Sequence, residues 1–403
     1  MQVQFIDTLE ALSQICKTFS DSNFLAVDTE FERQTTYYPK LALVQICDGK
    51  QLALIDPLAL KDLTPLMNLL YQPAIIKVFH SARQDLEIFY FLQGSVPENI
   101  FDTQIAAALS GFGEQIGYAN LVKQLLNIEL DKSQTRTDWL KRPLTQKQLT
   151  YAADDVRHLA ELYPIQKQQL EQQGRLQWLR DDFDFLSSSS TYAPAPQTMW
   201  CKIRGVNRLK KQQLAIIQKL TAWREQQAIE RNRPRRRILS DEALIALSVN
   251  APATQEELYQ NYKLNRAFLN HHAADLMTLI QKGLQTPDQD CPVLPSYQKL
   301  SQDEEALADC LMAVLHMSAR DNQISPACLC SRKELNALIQ GRRDLAILSG
   351  WRKELAGNDL LLFLEGKKLL SYHSGRLRLV SPLNTLQNTE NNRPEMEGLN
   401  GNQ

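Results

Sequence analysis

The chain has 403 residues, 43% hydrophobic and 23% charged, with a formal net charge of −1. This composition suits a globular protein of two or three domains with a sizeable core, and it excludes a disordered or uniformly basic chain. Seven cysteines without framework spacing do not suggest a disulfide scaffold, and no stretch approaches the ~20 apolar residues that span a bilayer.

The N-terminal stretch MQVQFIDTLEALSQICK has early acids and no uninterrupted apolar core, so it does not read as a signal peptide. The chain reads as a reduced, cytoplasmic protein with no membrane association. No interface signal points to an obligate protein partner.

The first half mixes strands and helices. FLAVD (24–28), LALVQIC (41–47) and QLALI (51–55) are β-like runs. Asp48-Gly49 between the last two is a hairpin signal. AIIKVF (74–79) is a further strand, leading into a helix over 82–92 in which Leu86, Phe89 and Tyr90 recur at helical spacing. NIFDT (99–103) is a short strand entering another helix. From about 117 to 180 the pattern is mostly helical, with a polar loop over 131–139. These elements describe an α/β domain opened by an antiparallel meander, residues 1–186.

Residues 187–204, opening SSSSTYAPAPQ, read as a Ser/Pro-rich linker. A helical block follows over 205–284, a second breaker over 285–298, a second helical block over 299–376, and a polar tail expected to be disordered over 377–403. Charge is unevenly spread. Residues 1–199 hold 17 Lys and Arg against 24 Asp and Glu, whereas residues 200–240 hold 12 against 2. That basic segment is a candidate polyanion footprint. It contains RNRPRRR, with Arg231, Arg233, Arg235, Arg236 and Arg237, after a helix that carries Lys210 and Lys211 at its start.

The acids of the first domain sit at element boundaries. In LAVDTEFERQ, Asp28 and Glu30 are two apart at the end of a strand, so they face one side. Two like charges so close are tolerable with solvent, a basic group or a cation between them, and hard divalent cations choose carboxylate oxygens. Asp85 lies in the first turn of the helix after 74–79, where the helix dipole alone would accommodate it. Tyr151 and Asp155 are four apart on one helix, hence on one face; Asp154 points elsewhere. Taken singly, each has an ordinary structural reading.

Taken in order, a strand Asp-x-Glu, an Asp at a helix start and a late Tyr-x-x-x-Asp resemble the tyrosine-marked subfamily of the DEDD superfamily of 3′–5′ exonucleases. VDTEFERQTTYYPKLALVQICDG, KVFHSARQDLE, DTQIAA, LDKSQTRTDWLKRPLT and YAADDV look like the ribonuclease D family. The resemblance covers Phe24 to about Trp351. It implies a ribonuclease-H-like (DnaQ-like) exonuclease domain with a mixed sheet, followed by two small all-α domains of the helicase-and-RNase-D C-terminal (HRDC) type.

It further implies phosphodiester hydrolysis with two divalent cations, Mg²⁺ or Mn²⁺, held by Asp28, Glu30, Asp85 and Asp155. One would activate water and the other stabilise the leaving oxygen, while Tyr151 orients the water. The implied substrates are tRNA precursors and other RNA 3′ extensions, released as 5′-mononucleotides. Preference for DNA, or nucleic-acid binding with little turnover, are the competing readings. His80 and Asp102 are read as supporting residues, Asp102 also as a helix N-cap. Lys132, Arg136 and Trp139 in the polar loop could contact the nucleic-acid backbone or stack on a base; an ordinary loop is the alternative.

Overall fold

A computed structural model of the chain describes residues 1–382 apart from 132, 136, 263 and 295–298. The chain divides into two compact units: residues 1–101, 131–161 and 183–297 form one, and residues 102–130, 162–182 and 298 onward form the other.

The first unit is built on a sheet in the order β1-β4-β3-β2-β5-β6. Its strands are β1 (Val3–Ile6), β2 (Phe24–Glu32), β3 (Lys40–Cys47), β4 (Leu52–Ile55), β5 (Ile76–Phe79) and β6 (Ile100–Asp102). β2–β3 and β3–β4 are antiparallel, as the Asp48-Gly49 turn requires of the latter pair, while β1–β4 and β2–β5 are parallel. The mixed sheet is thus as expected. Burial explains the near-continuous apolar runs: Leu43, Val44, Ile46, Leu52, Leu54 and Ile55 are fully buried. β1 and the helix α1 (Leu9–Phe19) went unassigned from the sequence, although Thr8 caps that helix by accepting from the Ala11 amide.

One correction concerns β2. The strand does not stop at Asp28 but runs on to Glu32, because β3 stays paired with it through Lys40. Asp28 and Glu30 therefore lie within a central strand. The register slips by one residue between Glu30 and Phe31, which leaves Ala42 of β3 unmatched. Its carbonyl accepts instead from Arg142 Nη2 at 2.6 Å, and the same guanidinium pairs with Asp56.

Helices α2 (Thr64–Leu70) and α3 (Arg83–Gln93) belong to the first unit and α4 (Thr103–Leu109) and α5 (Tyr118–Leu126) to the second, while α6 (Gln146–Gln172) and α7 (Arg180–Leu186) have residues in both. The first helical module comprises α8 (Lys211–Glu230), α9 (Arg235–Ile238), α10 (Asp241–Asn250), α11 (Gln255–Asn261) and α12 (Arg266–Leu284). α8 and α12 approach closely at Gly283: a Cβ there would sit 2.5 Å from Ile216 Cγ1.

The 187–204 segment is not a free linker. Residues Pro196–Lys202 form a 3₁₀ helix, and Trp200 and Ile203 are buried in the core of this module with Leu214, Leu220 and Leu276. The Ser/Pro composition that signals a breaker overlooks two large apolar residues with somewhere to go.

In the second unit, α13 (Gln302–Asp321), α14 (Pro326–Leu329), α15 (Arg332–Ile339), α16 (Gly350–Arg352) and α17 (Asn358–Leu364) form the later helical block. Trp178 stacks on Trp351 with centroids 4.6 Å apart and planes 6° apart. The block is not wholly helical. β7 (Leu369–His373) and β8 (Arg376–Val380) pair as a hairpin across a turn with positive φ at Ser374 and Gly375. This corrects both the all-helical reading to 376 and the tail expected from 377. Residues 383–403, where disorder was expected, lie outside the described residues, as do 295–298 in the second breaker.

Candidate metal centre and its surroundings

β2 and α6 bring the acids together. Side-chain alternation puts Asp28 and Glu30 on one face of β2. Asp155 comes from α6, more than a hundred residues later, and its carboxylate joins theirs so that one ligand atom from each lies within 4.8 Å of the others. The donors are all carboxylate oxygens, a set that fits a hard divalent cation and gives a soft metal no sulfur or imidazole.

Asp85 lies beside this group rather than within it. It sits in the first turn of α3, almost fully buried, and accepts a hydrogen bond from the Thr29 hydroxyl. Its charge still reaches Glu30. Thr29, the residue between the two strand acids, was not singled out from the sequence; its role is visible only once α3 is placed against β2.

The electrostatics follow from crowding. Burial pushes Glu30 up to about 10, and the charges of Asp28, Asp155 and Asp85 add to it. Burial raises Asp28 to about 6 against the opposing hydrogen bond from the Thr29 amide. Asp155 is raised well above the ordinary carboxylate range, first by burial and then by Asp28 and Asp154, while a hydrogen bond from Tyr151 opposes the rise. Such a cluster is stabilised by positive charge placed among its oxygens.

Tyr151 lies one turn before Asp155, as expected, and its ring packs against Trp139 with centroids 6.0 Å apart. Burial and the nearby carboxylates, Asp155 foremost, raise its phenol above the usual value. It therefore stays protonated at neutral pH and can donate a hydrogen bond. Asp154 pairs with Arg157, away from the cluster, as helical spacing anticipates.

The supporting residues divide. His80 is half-buried and precedes Ser81, whose φ of 64° turns the chain from β5 into α3. Asp102 is the N-cap of α4, accepting from the Gln104 amide at 2.8 Å. Trp139 departs from expectation: it is 5% exposed and packed under Tyr151, so it offers no face to a base. Lys132 and Arg136 lie outside the described residues.

The arginine run is also less uniform than its composition suggests. Arg235 is bound to the buried Glu225 and lies over Tyr37, whose hydroxyl it reaches at 3.1 Å. Arg231 bonds His272 Nε2 at 2.8 Å, and Arg236 reaches Asp241 at 3.3 Å. Arg233 and Arg237 are exposed and have no ion pair among the described residues, and the same holds for Lys210 and Lys211. Arg231, Arg236 and Arg237 line a cavity of 860 Å³ in the helical module, together with Tyr262, Phe268 and His271. Asn232, unremarked in the sequence, takes a left-handed conformation (φ 45°) and its Oδ1 accepts from the Tyr37 and Tyr38 amides at 3.1 and 3.0 Å. Only its turn-forming character could have flagged it.

Comparison with known proteins agrees with this architecture. Residues 3–171 match a family described as 3′-5′ exonuclease, and residues 213–280 match the HRDC domain. The chain is 36% identical to ribonuclease D of Granulibacter bethesdensis over 92% of its own length and 95% of that protein. It is 38% identical to ribonuclease D of Zymomonas mobilis over 94% and 98%. The crystal structure of Escherichia coli RNase D, described as an exoribonuclease involved in structured RNA processing, superposes with a TM-score of 0.81 at 32% identity, covering 91% of this chain and 99% of that one. Among the described residues, no helix is long and apolar enough to cross a membrane.

Proposed function

This chain belongs to the ribonuclease D family, and we propose that Asp28, Glu30, Asp85, Tyr151 and Asp155 are the catalytic residues of its 3′–5′ exoribonuclease activity. The enzyme hydrolyses RNA from the 3′ end, and its family works with divalent metal ions. The observation that carries the residue assignment is the meeting of the Asp28, Glu30 and Asp155 carboxylates within 4.8 Å.

In this reading Asp28, Glu30 and Asp155 would hold one divalent cation, Mg²⁺ or Mn²⁺, and Asp85 would help hold a second. When bound, the cations activate water and stabilise the developing charge on the leaving 3′ oxygen. Thr29 steadies Asp85 by its hydrogen bond. Tyr151, kept protonated by burial, orients the attacking water in this reading, and with that role the chain would belong to the tyrosine-marked subfamily. The exposed Arg233, Arg237, Lys210 and Lys211 grip phosphates without reading sequence. Arg236 and Arg231 contribute from the lining of the cavity, Lys132 and Arg136 add further positive charge, and His80 and Asp102 support the site's elements.

We read the helical block from Gln302 to Leu364 as a second HRDC-like module, the substrates as tRNA precursors and other 3′-extended RNAs, and the compartment as the cytoplasm. The test is a time course on 3′-extended tRNA and a matched DNA, with Mg²⁺, with Mn²⁺ and with chelator. Single-nucleotide ladders from the RNA 3′ end, abolished by chelator, are expected. Internal cleavage, or turnover indifferent to chelator, would overturn the reading.

A further inference from the structure

Gln45 is the one polar residue in the apolar run LALVQIC of β3. It is fully buried, and neither its Oε1 nor its Nε2 has a hydrogen-bond partner among the described residues. A buried carboxamide with both ends unpaired is disfavoured, and an apolar side chain of similar volume would serve the core better. Its place in the sheet suggests why it is there. Gln45 is the Cα partner of Asp28 in the antiparallel β2–β3 pair. Directly opposed residues project to the same face with Cβ atoms about 4.5–5.5 Å apart.

That face carries Asp28 and Glu30 on β2 and Gln45 and Cys47 on β3, and the register between Ala26 and Glu30 is unbroken. α6 lies over it: Asp155 meets Asp28 and Glu30, and the charge of Arg157 is felt at Cys47. The carboxamide is therefore enclosed between the strand that bears the acids and the helix that bears the third. Residue chemistry matters here. A Lys or Arg at position 45 would neutralise an acid and compete with a cation. An amide donates a hydrogen bond to a carboxylate without bringing charge.

We propose that Gln45 is a positioning residue of the acidic centre: its Nε2–H, unpaired in the metal-free chain, becomes the donor to the Asp28 carboxylate when a divalent cation draws that group toward Glu30 and Asp155, and holds it there. The inference rests on the reading that these acids take the cation. Groups that orient metal-binding carboxylates commonly affect affinity by about 10–100-fold when removed.

The experiment titrates Mn²⁺ into the full chain by calorimetry for wild type, Gln45→Met and Gln45→Leu, with melting temperatures of the metal-free proteins alongside. The expected result is Mn²⁺ affinity weakened by about tenfold or more, with metal-free melting temperatures unchanged or raised. Nuclease kcat should recover as Mn²⁺ is raised, while the half-saturating Mn²⁺ concentration moves up. A purely structural glutamine predicts the opposite pattern. Unchanged affinity in either folded variant, or a fall in metal-free stability in both, overturns the proposal. Failure of the wild type itself to bind Mn²⁺ would instead remove the metal-site reading and this inference with it.

Discussion

The Tyr151 phenol hydrogen-bonds the Asp155 carboxylate across one turn of α6. The bond ties a proposed water-orienting group to a proposed metal ligand, both carried on one helix. Tyr151→Phe removes the hydroxyl and keeps the ring that packs on Trp139. Turnover should fall by about 10²-fold while Mn²⁺ affinity stays near wild type. Calorimetry beside single-turnover kinetics checks this, and a matching loss of metal affinity would contradict the role.

Asp28→Asn should abolish nuclease activity and leave the fold intact. It removes one of three carboxylates whose oxygens lie within 4.8 Å, so repulsion in the metal-free site decreases. The melting temperature measured in chelator should hold or rise. Near-wild-type turnover in this variant would dismiss Asp28 as a ligand.

The raised carboxyls predict a pH dependence with a definite sign. In the folded, metal-free chain Asp28 titrates at about 6 and Glu30 at about 10, against about 4 when unfolded. Groups raised in this direction impose no penalty below the unfolded value and an increasing one as pH rises through the folded values. A cation must displace these protons, so it binds better as pH rises. The increase in melting temperature on adding Mg²⁺ should therefore grow between about pH 5 and pH 9. A shift that is flat, or larger at the acid end, would count against a cation at these acids.

The arginines of RNRPRRR should separate into two classes. Arg233→Ala and Arg237→Ala should weaken RNA binding and reduce the salt slope by about 1 each, with stability unchanged. Arg235→Ala should cost roughly 1–3 kcal/mol of stability, because it leaves the buried Glu225 without a partner that, despite burial, helps hold that acid below its usual range. Salt-dependent filter binding and chemical denaturation distinguish them. A salt slope lowered by Arg235→Ala alone would reverse the assignment.

Much of the fold was legible because its signals are local. The Asp48-Gly49 turn, the apolar run of β3 and the four-residue step from Tyr151 to Asp155 each depend on neighbours a few residues away. The hairpin at 369–380 has only a weak local signal, the turn at Ser374-Gly375, because both strands are largely exposed and lack a clear apolar face. The tail boundary moved for the same reason.

By itself, the sequence determined which acids face together on β2 and which tyrosine shares a face with Asp155, since strand and helix periods fix those relations. Only the tertiary structure decided that Asp155 returns to Asp28, that Thr29 holds Asp85, that Trp139 is buried under Tyr151, and that Arg235 answers Glu225 instead of solvent. These are pairings between different elements, some ten or twelve residues apart and some more than a hundred. They are set by which apolar faces bury one another and by what each buried charge must find as a partner, and neither is written in any single stretch of residues.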